Sequence, residues 1–465
     1  MNHQFLRPCL KGLILSLILS VSIPGDAAEP GEVHVATFAA DVTIPIGHRC
    51  MGILPTKAKE IIDPLETRGL IITGVGKPVA IVAVDWCEIR NGAYDEWRDT
   101  IAKAASTTRE RVMVCSLHQH DAPVCDREAQ LLLDSVGMKK ELYDPEFHAA
   151  CLKRISAAVK DALTEKKPVT HLGLGETRVS GIASSRRVVL DDGSIAWSRY
   201  SASGGNEFHA NAPDGPIDPN LKTITFFNGN QPLVMLHSYA VHPMSFYGRG
   251  GVSSDFVGLA RRRMQREHPR VFQIYVSGCS GDVTAGKYND ATPASRELLT
   301  QRLFEAMEAS WQSTQRQDLK QVEFRNATYD LPFHEADEFE PAALKKVLHD
   351  ESAKEGDRIL AAMSLSSLQR KERGQPLELP CLDLRDAQII LFPGESFVGY
   401  QLMAQEMRPD SFVMCIGYGE CWPGYIPTKQ AFEENFNHGW RWVGRGSEAI
   451  LRPAMRKVLN VSDRN

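Results

Sequence analysis

Six runs of apolar, largely β-branched residues punctuate the chain, at 79–84, 112–117, 233–241, 271–276, 387–392 and 412–416. Each predicts a buried strand. Between them the apolar spacing lengthens to the helical period. The clearest case starts at Asp144, a good N-cap, with Pro145 at the first helical position. Phe147, Cys151, Ile155, Val159 and Leu163 then recur every four residues and make one apolar stripe. Further helices are predicted at 255–266, 295–311, 341–349 and 357–371. Strands alternating with helices predict an α/β fold, a mixed β-sheet core flanked by helices. Residues 181–219 are rich in Gly, Ser, Asn and Asp and read as loops or a surface excursion. Residues 323–378 read as a helical insertion. No repeat, low-complexity stretch or linker interrupts the pattern, so residues 29–465 are expected to form a single domain.

The first 28 residues break the pattern. Arg7 and Lys11 precede an apolar run from 12 to 23, and Pro24-Gly25-Asp26-Ala27-Ala28 closes it with small residues. That order is a secretory signal peptide, too short for a comfortable membrane span of about 20 residues. A periplasmic or secreted protein is expected, with at most peripheral membrane contact. Formal net charge is −5 and the basic residues are dispersed, which argues against a nucleic-acid partner. Ten cysteines are present, Cys9 among them in the leader, and their wide spacing is not a disulfide framework. Cys415 and Cys421 are near enough in sequence to consider as a bridge. Cys87, Cys115 and Cys151 read as core residues.

Candidate chemistry sits just past the apolar runs. His118-Gln119-His120 follows the strand at 112–117; on extended backbone, residues two apart face one side, so two imidazoles would face one cavity. Asp121 is placed to orient a ring. His237 and His242 are five apart and would face opposite ways on a straight strand. His242, which closes its run before Pro243, is the candidate; His237 reads as a satisfied core or supporting histidine. The turn Ser277-Gly278-Cys279-Ser280-Gly281-Asp282-Val283-Thr284 offers backbone N–H groups and hydroxyls. Pro393-Gly394-Glu395 presents a carboxylate after the 387–392 strand. Ligands of open α/β sheets bind beyond the carboxyl ends of strands. Two histidines and a carboxylate with an open position form a catalytic zinc set, so the residues point to a metal hydrolase.

These motifs together resemble the neutral ceramidases, a family of zinc amidases. His118-Gln119-His120 is similar to the family's His-Thr-His. Val241-His242-Pro243, with Ser253-Ser254-Asp255 downstream, resembles its Val-His-Pro and Ser-Gly-Asp. Gly281-Asp282-Val283-Thr284 resembles Gly-Asp-x-Ser, Pro393-Gly394-Glu395 matches Pro-Gly-Glu, and Gly424-Tyr425-Ile426-Pro427-Thr428 matches Gly-Tyr-x-x-Thr. The order is the same, and the likeness runs from about Ala36 to Gly446. It implies a ceramidase-like catalytic domain with Zn2+ held by His118, His242, Glu395 and Tyr425, His120 as an acid/base group, and Thr284 where the family has a catalytic serine. The sequence departs from the family at Thr284, at Ala285-Gly286 in place of Pro-Asn, and at Asp121-Ala122-Pro123-Val124 in place of Ser-Gly-Pro-Gly-Gly. The family's C-terminal immunoglobulin-like domain is not expected.

The function expected is a zinc-dependent hydrolase of a linear amide, possessing a small-molecule or lipid substrate such as an N-acyl sphingolipid. In this reading metal-activated water attacks, His120 moves a proton, and Thr284 with the N–H groups of the Gly278–Gly281 turn stabilises the oxyanion. Two alternatives stand beside it: an amidase or esterase for a polar or carbohydrate-linked compound, and a catalytically silent binding protein on the same fold.

Overall fold

The computed structural model describes residues 33–462, apart from 52, 53, 55 and 75. The expected leader at 1–28 lies outside the described residues. The chain is a mixed α/β structure built on three larger sheets. In the first, strands run in the order Val112–Ser116, Val79–Val84, Glu66–Thr73, His34–Asp41, Lys167–Pro168. In the second the order is Phe272–Ser277, Gln231–Tyr239, Asn220–Asn228, His171–Arg178, Gln315–Asp318. The third runs Glu323–Tyr329, Leu377–Asp383, Ala387–Leu391, Phe412–Ile416.

All three sheets share one device. Each ends in a parallel pair: Val79–Val84 with Val112–Ser116, Gln231–Tyr239 with Phe272–Ser277, and Ala387–Leu391 with Phe412–Ile416. These six strands are the six apolar runs of the sequence. Parallel strands are covered on both faces, so they carry few polar positions. The remaining strands of these three sheets are antiparallel, and several alternate buried with exposed residues.

Alternation within the parallel strands divides the interior in two. Val79, Ile81 and Ala83 join a cluster with Ile274, Val276, Ile389 and Met414, so the three sheets share that core. Ala80, Val82 and Val84 point the other way, into a cluster with Trp97, Ile101, Cys151, Ile155 and Val159. The last three lie on the helix Pro145–Ala162, whose N-cap Asp144 accepts from the N–H groups of Glu146 and Phe147. The predicted stripe thus buries as expected.

The strand ends are stitched together. Ser277 Oγ donates to the Leu117 carbonyl (2.9 Å), the Gly417 N–H to the Ser277 carbonyl (2.8 Å), and the Ser116 N–H to the Tyr418 carbonyl (3.0 Å). The carboxyl ends of the three parallel pairs therefore meet at one place, which fixes where a site can form.

Three expectations change. Residues 323–329 are not helical but form the edge strand Glu323–Tyr329; the helices Pro341–His349 and Glu355–Glu372 follow it before the chain returns at Leu377–Asp383. Residues 181–219 are not merely a surface excursion, because Arg186 and Arg199 are buried and the short strand Ser184–Ser185 pairs with Val283–Thr284. Cys415 and Cys421 do not bridge; among the described residues every cysteine is a free, buried thiol. No described helix is long and apolar enough to cross a membrane.

Candidate metal centre

His118 follows the first parallel pair, His242 the second and Glu395 the third. Their ligand atoms all lie within 4.8 Å of one another, and all three residues are buried. His118 and His120 share the cavity, ring centres 5.3 Å apart, but not through extended backbone. His118 has φ +69°, a left-handed conformation that costs a non-glycine residue roughly 1–2 kcal/mol. The turn it makes aims the ring inward. Glu395 opens the short strand Glu395–Ser396, which pairs in parallel with Tyr425–Ile426, so the register sets Glu395 opposite Tyr425.

The imidazole tautomers follow from their partners. Nδ1 of His118 lies 2.9 Å from the Cys87 carbonyl, and Nδ1 of His242 lies 2.9 Å from the Ser280 carbonyl. A carbonyl only accepts, so both Nδ1 atoms carry hydrogen, and each ring presents a lone pair at Nε2 when it is neutral. Those Nε2 atoms sit 3.4 and 3.1 Å from the same Glu395 Oε2. His242 Nε2 and Glu395 Oε2 nevertheless make no hydrogen bond, and both are buried. Three donor atoms converging on one point without bonding each other, each ring held from behind by a carbonyl, fit a cation with an imidazole–imidazole–carboxylate ligand set. That set suits zinc.

Electrostatics agree. Burial pushes the Glu395 carboxyl up, but His118 and His242 beside it more than reverse this and hold it well below the ordinary carboxylate range. Burial, then the charge on His118, brings His242 down to about 3. Burial opposes protonation of His118 too, yet Glu395 overcomes it and raises that ring. Burial, reinforced by both neighbouring histidines, drives His120 well below its ordinary value. It is therefore a neutral ring, and its Nδ1 has no hydrogen-bond partner. The Tyr425 phenol is raised well above its usual range, chiefly by burial.

A cavity of ≈ 170 Å³ opens onto these groups, and His118, His120, Glu395 and Tyr425 line it. Thr284 does not. It forms a parallel bridge with His242, and its hydroxyl is buried without a partner behind the cavity wall. Three of the turn's N–H groups are also spent. Gly278 donates to the Tyr239 carbonyl, Cys279 to Gln401 Oε1 and Gly281 to the Ser396 carbonyl. They cannot serve as oxyanion donors in this arrangement. Gly281 has a packing reason instead, since a Cβ there would overlap the Glu395 carbonyl. Asp121 does not orient a ring; its carboxylate accepts from the Gly248 N–H (3.0 Å) and ties down the loop that carries Tyr247. His237 is a satisfied core histidine, 2.8 Å from Thr223 Oγ1 and 2.9 Å from Gln273 Oε1.

Sequence reasoning missed much of the wall: Cys87, Arg186, Tyr247, His438 and Trp440. All come from loops or strand ends with no periodicity to mark them. The tyrosine turn depends on Gly424, which has φ +60° and whose added Cβ would overlap the Trp440 carbonyl. Gly424→Ala is expected to destabilise by at least the roughly 1–2 kcal/mol of the left-handed backbone. It should also weaken metal retention, because the Glu395 N–H bonds the Gly424 carbonyl (2.8 Å). A thermal melt with metal analysis reads both; unchanged values would show the turn to be slack.

No sequence-family profile matches the chain, and no curated protein matches it. Solved structures do. The neutral ceramidase from Pseudomonas aeruginosa superposes with TM-score 0.67 over 94% of this chain and 74% of that one, at 15% identity. A ceramidase complexed with C2 gives TM-score 0.66 over 94% and 75%, at 14% identity. The fold is thus ceramidase-like.

Proposed function

We propose that this chain is a zinc-dependent amidohydrolase, with the metal held by His118, His242, Glu395 and Tyr425. The observation that carries the proposal is the convergence of the Nε2 atoms of two buried histidines on one buried carboxylate oxygen, with His242 Nε2 and Glu395 Oε2 unbonded, beside a cavity that His118 and Glu395 line. The ceramidase-like fold supports it, since the similar structures are named for cleavage of an N-acyl bond. Zinc, when bound, supplies a Lewis acid and lowers the pKa of bound water from 15.7 to about 7.

The chain's own residues do the rest. His120 is neutral and lines the cavity, so it can take a proton from water and return it to the leaving nitrogen, an effect worth roughly 10²–10⁴-fold. Cys87 lies within 4.8 Å of both His118 and His120, but burial raises its thiol, so it remains neutral and is no competing nucleophile. Tyr425 and Glu395, locked by strand register, hold one side of the cavity. Trp440 donates to Glu88 (2.8 Å), which fixes another wall.

Cavity size bears on the substrate. At ≈ 170 Å³ it is smaller than the roughly 300–1,000 Å³ of typical ligand sites. It cannot enclose two long hydrocarbon chains. We therefore favour a compact N-acyl compound over ceramide at the reacting end, in line with the polar-substrate alternative. Export, read from the charge and apolar pattern of the first 28 residues, is part of the proposal.

Metal removal tests it. The purified protein should contain about one zinc per chain by mass spectrometry. A chelator should abolish hydrolysis of N-acyl compounds, and added zinc should restore it. Stoichiometric zinc with no turnover across amide and ester panels would favour the silent binding protein; no zinc at all would end the proposal.

A further inference from the structure

Arg186 lines the cavity and is more than nine-tenths buried. Among the described residues its guanidinium makes no hydrogen bond, and Nε and Nη2 are both buried without partners. Its Cζ lies 5.7 Å from the centre of the Tyr425 ring. Neighbouring arginines differ. Arg187 turns its Nε and Nη2 onto the Glu434 carboxylate at 2.7 and 2.8 Å. Arg199 spends Nη1 and Nη2 on four backbone carbonyls. A guanidinium stays charged in any protein setting, and a buried charge left unpaired is strongly unfavourable.

Only one other charged side chain lines the cavity, and it is Glu395, already committed to the histidines. With a divalent cation among those ligands, the carboxylate is more than neutralised, and Arg186 adds a further positive charge. The cavity therefore has one unfilled planar donor. A planar, forked donor matches a carboxylate. A second cavity of ≈ 220 Å³, lined by Gly419 and Glu420 among others, offers nothing comparable, because its arginines are already paired: Arg370 with Asp95, Arg98 with Glu378, Arg109 with Asp99.

We infer that Arg186 anchors a carboxylate carried by the substrate within a few bonds of the scissile amide, making this a hydrolase of small acidic N-acyl compounds. This rests on the hydrolase reading but is separable from it, because binding can be measured without turnover.

The test pairs each acid with its neutral twin: N-acetylglycine against N-acetylglycinamide, and succinamic acid against succinamide. Binding is followed by calorimetry on the purified, zinc-supplemented protein, and hydrolysis is followed in parallel. At least one acid should bind at least about tenfold more tightly than its twin, as expected for a charge-assisted hydrogen bond. Arg186→Gln should reduce that ratio to within about threefold. Arg186→Lys should restore part of it, and both variants are checked by thermal melt. Equal binding of acid and neutral compounds by the native protein would overturn the inference. So would an Arg186→Gln variant that keeps the ratio while slowing acid and neutral substrates alike, which would assign Arg186 to charge developing in the reaction. Arg186-dependent acid binding without any hydrolysis would uphold the anchor and remove the hydrolase reading instead.

Discussion

His242→Ala is expected to lose bound zinc and hydrolytic activity together. His242 Nε2 is 3.1 Å from Glu395 Oε2 and is held in place by the Ser280 carbonyl behind it. Removing a partner that merely orients a ligand costs about 10–100-fold in metal affinity or activity. Removing the ligand itself should exceed that and leave turnover at background. His118→Ala should behave the same way. His237→Ala is the informative contrast. That ring is equally buried, but its nitrogens face Thr223 and Gln273. The variant should melt earlier yet keep zinc. Stoichiometric zinc in the His118 or His242 variants would remove these residues from the centre.

The second large effect is on stability. Arg90 is fully buried between two acids, with Nη1 3.0 Å from Glu88 and Nε 3.2 Å from Asp126, and its guanidinium lies 4.1 Å over the Trp442 ring. Arg90→Ala leaves two buried carboxylates without their counter-charge, which costs roughly 3–5 kcal/mol. For a chain of this size that is a fall in melting temperature of about 3–6 °C. Burial already raises the Glu88 carboxyl, so losing Arg90 should leave it protonated and weaken its hold on the cavity wall at Trp440. The half-exposed pair Arg109–Asp99 provides the scale: Arg109→Ala should cost less than about 1 kcal/mol. Equal melting shifts for the two variants would show that the Arg90 cluster does not hold the fold.

How much of the site was legible varied with its chemistry. His118, His242 and Glu395 stood out because each closes or follows an apolar run, where side chains leave the packed interior. His120 was found for a reason that proved incomplete, since the left-handed backbone at His118, not an extended strand, brings the two rings together. Thr284 was chosen for its hydroxyl, but a motif does not say which way that hydroxyl faces. Arg186 could not be found, because it sits in a segment whose composition reads as loop and whose burial depends on contacts distant in sequence.

By itself the sequence determined the six strands of the parallel pairs, the helix at Pro145–Ala162 and the positions where a site had to form. The physical reason is that parallel strands buried on both faces admit almost nothing but apolar residues, so they show as unbroken runs. The antiparallel strands Asn220–Asn228 and Leu377–Asp383 were not read, and neither was Glu323–Tyr329, which had been taken for helix. Glu323–Tyr329 is a half-buried edge strand, and such positions tolerate polar residues, which blurs the period. Only the tertiary structure decided that three separate parallel pairs end at one point. It likewise decided that the N–H groups of Gly278, Cys279 and Gly281 are spent on the fold, and that one buried arginine is left facing the cavity unpaired. Those outcomes depend on which strand ends meet, and local pattern carries no information about that.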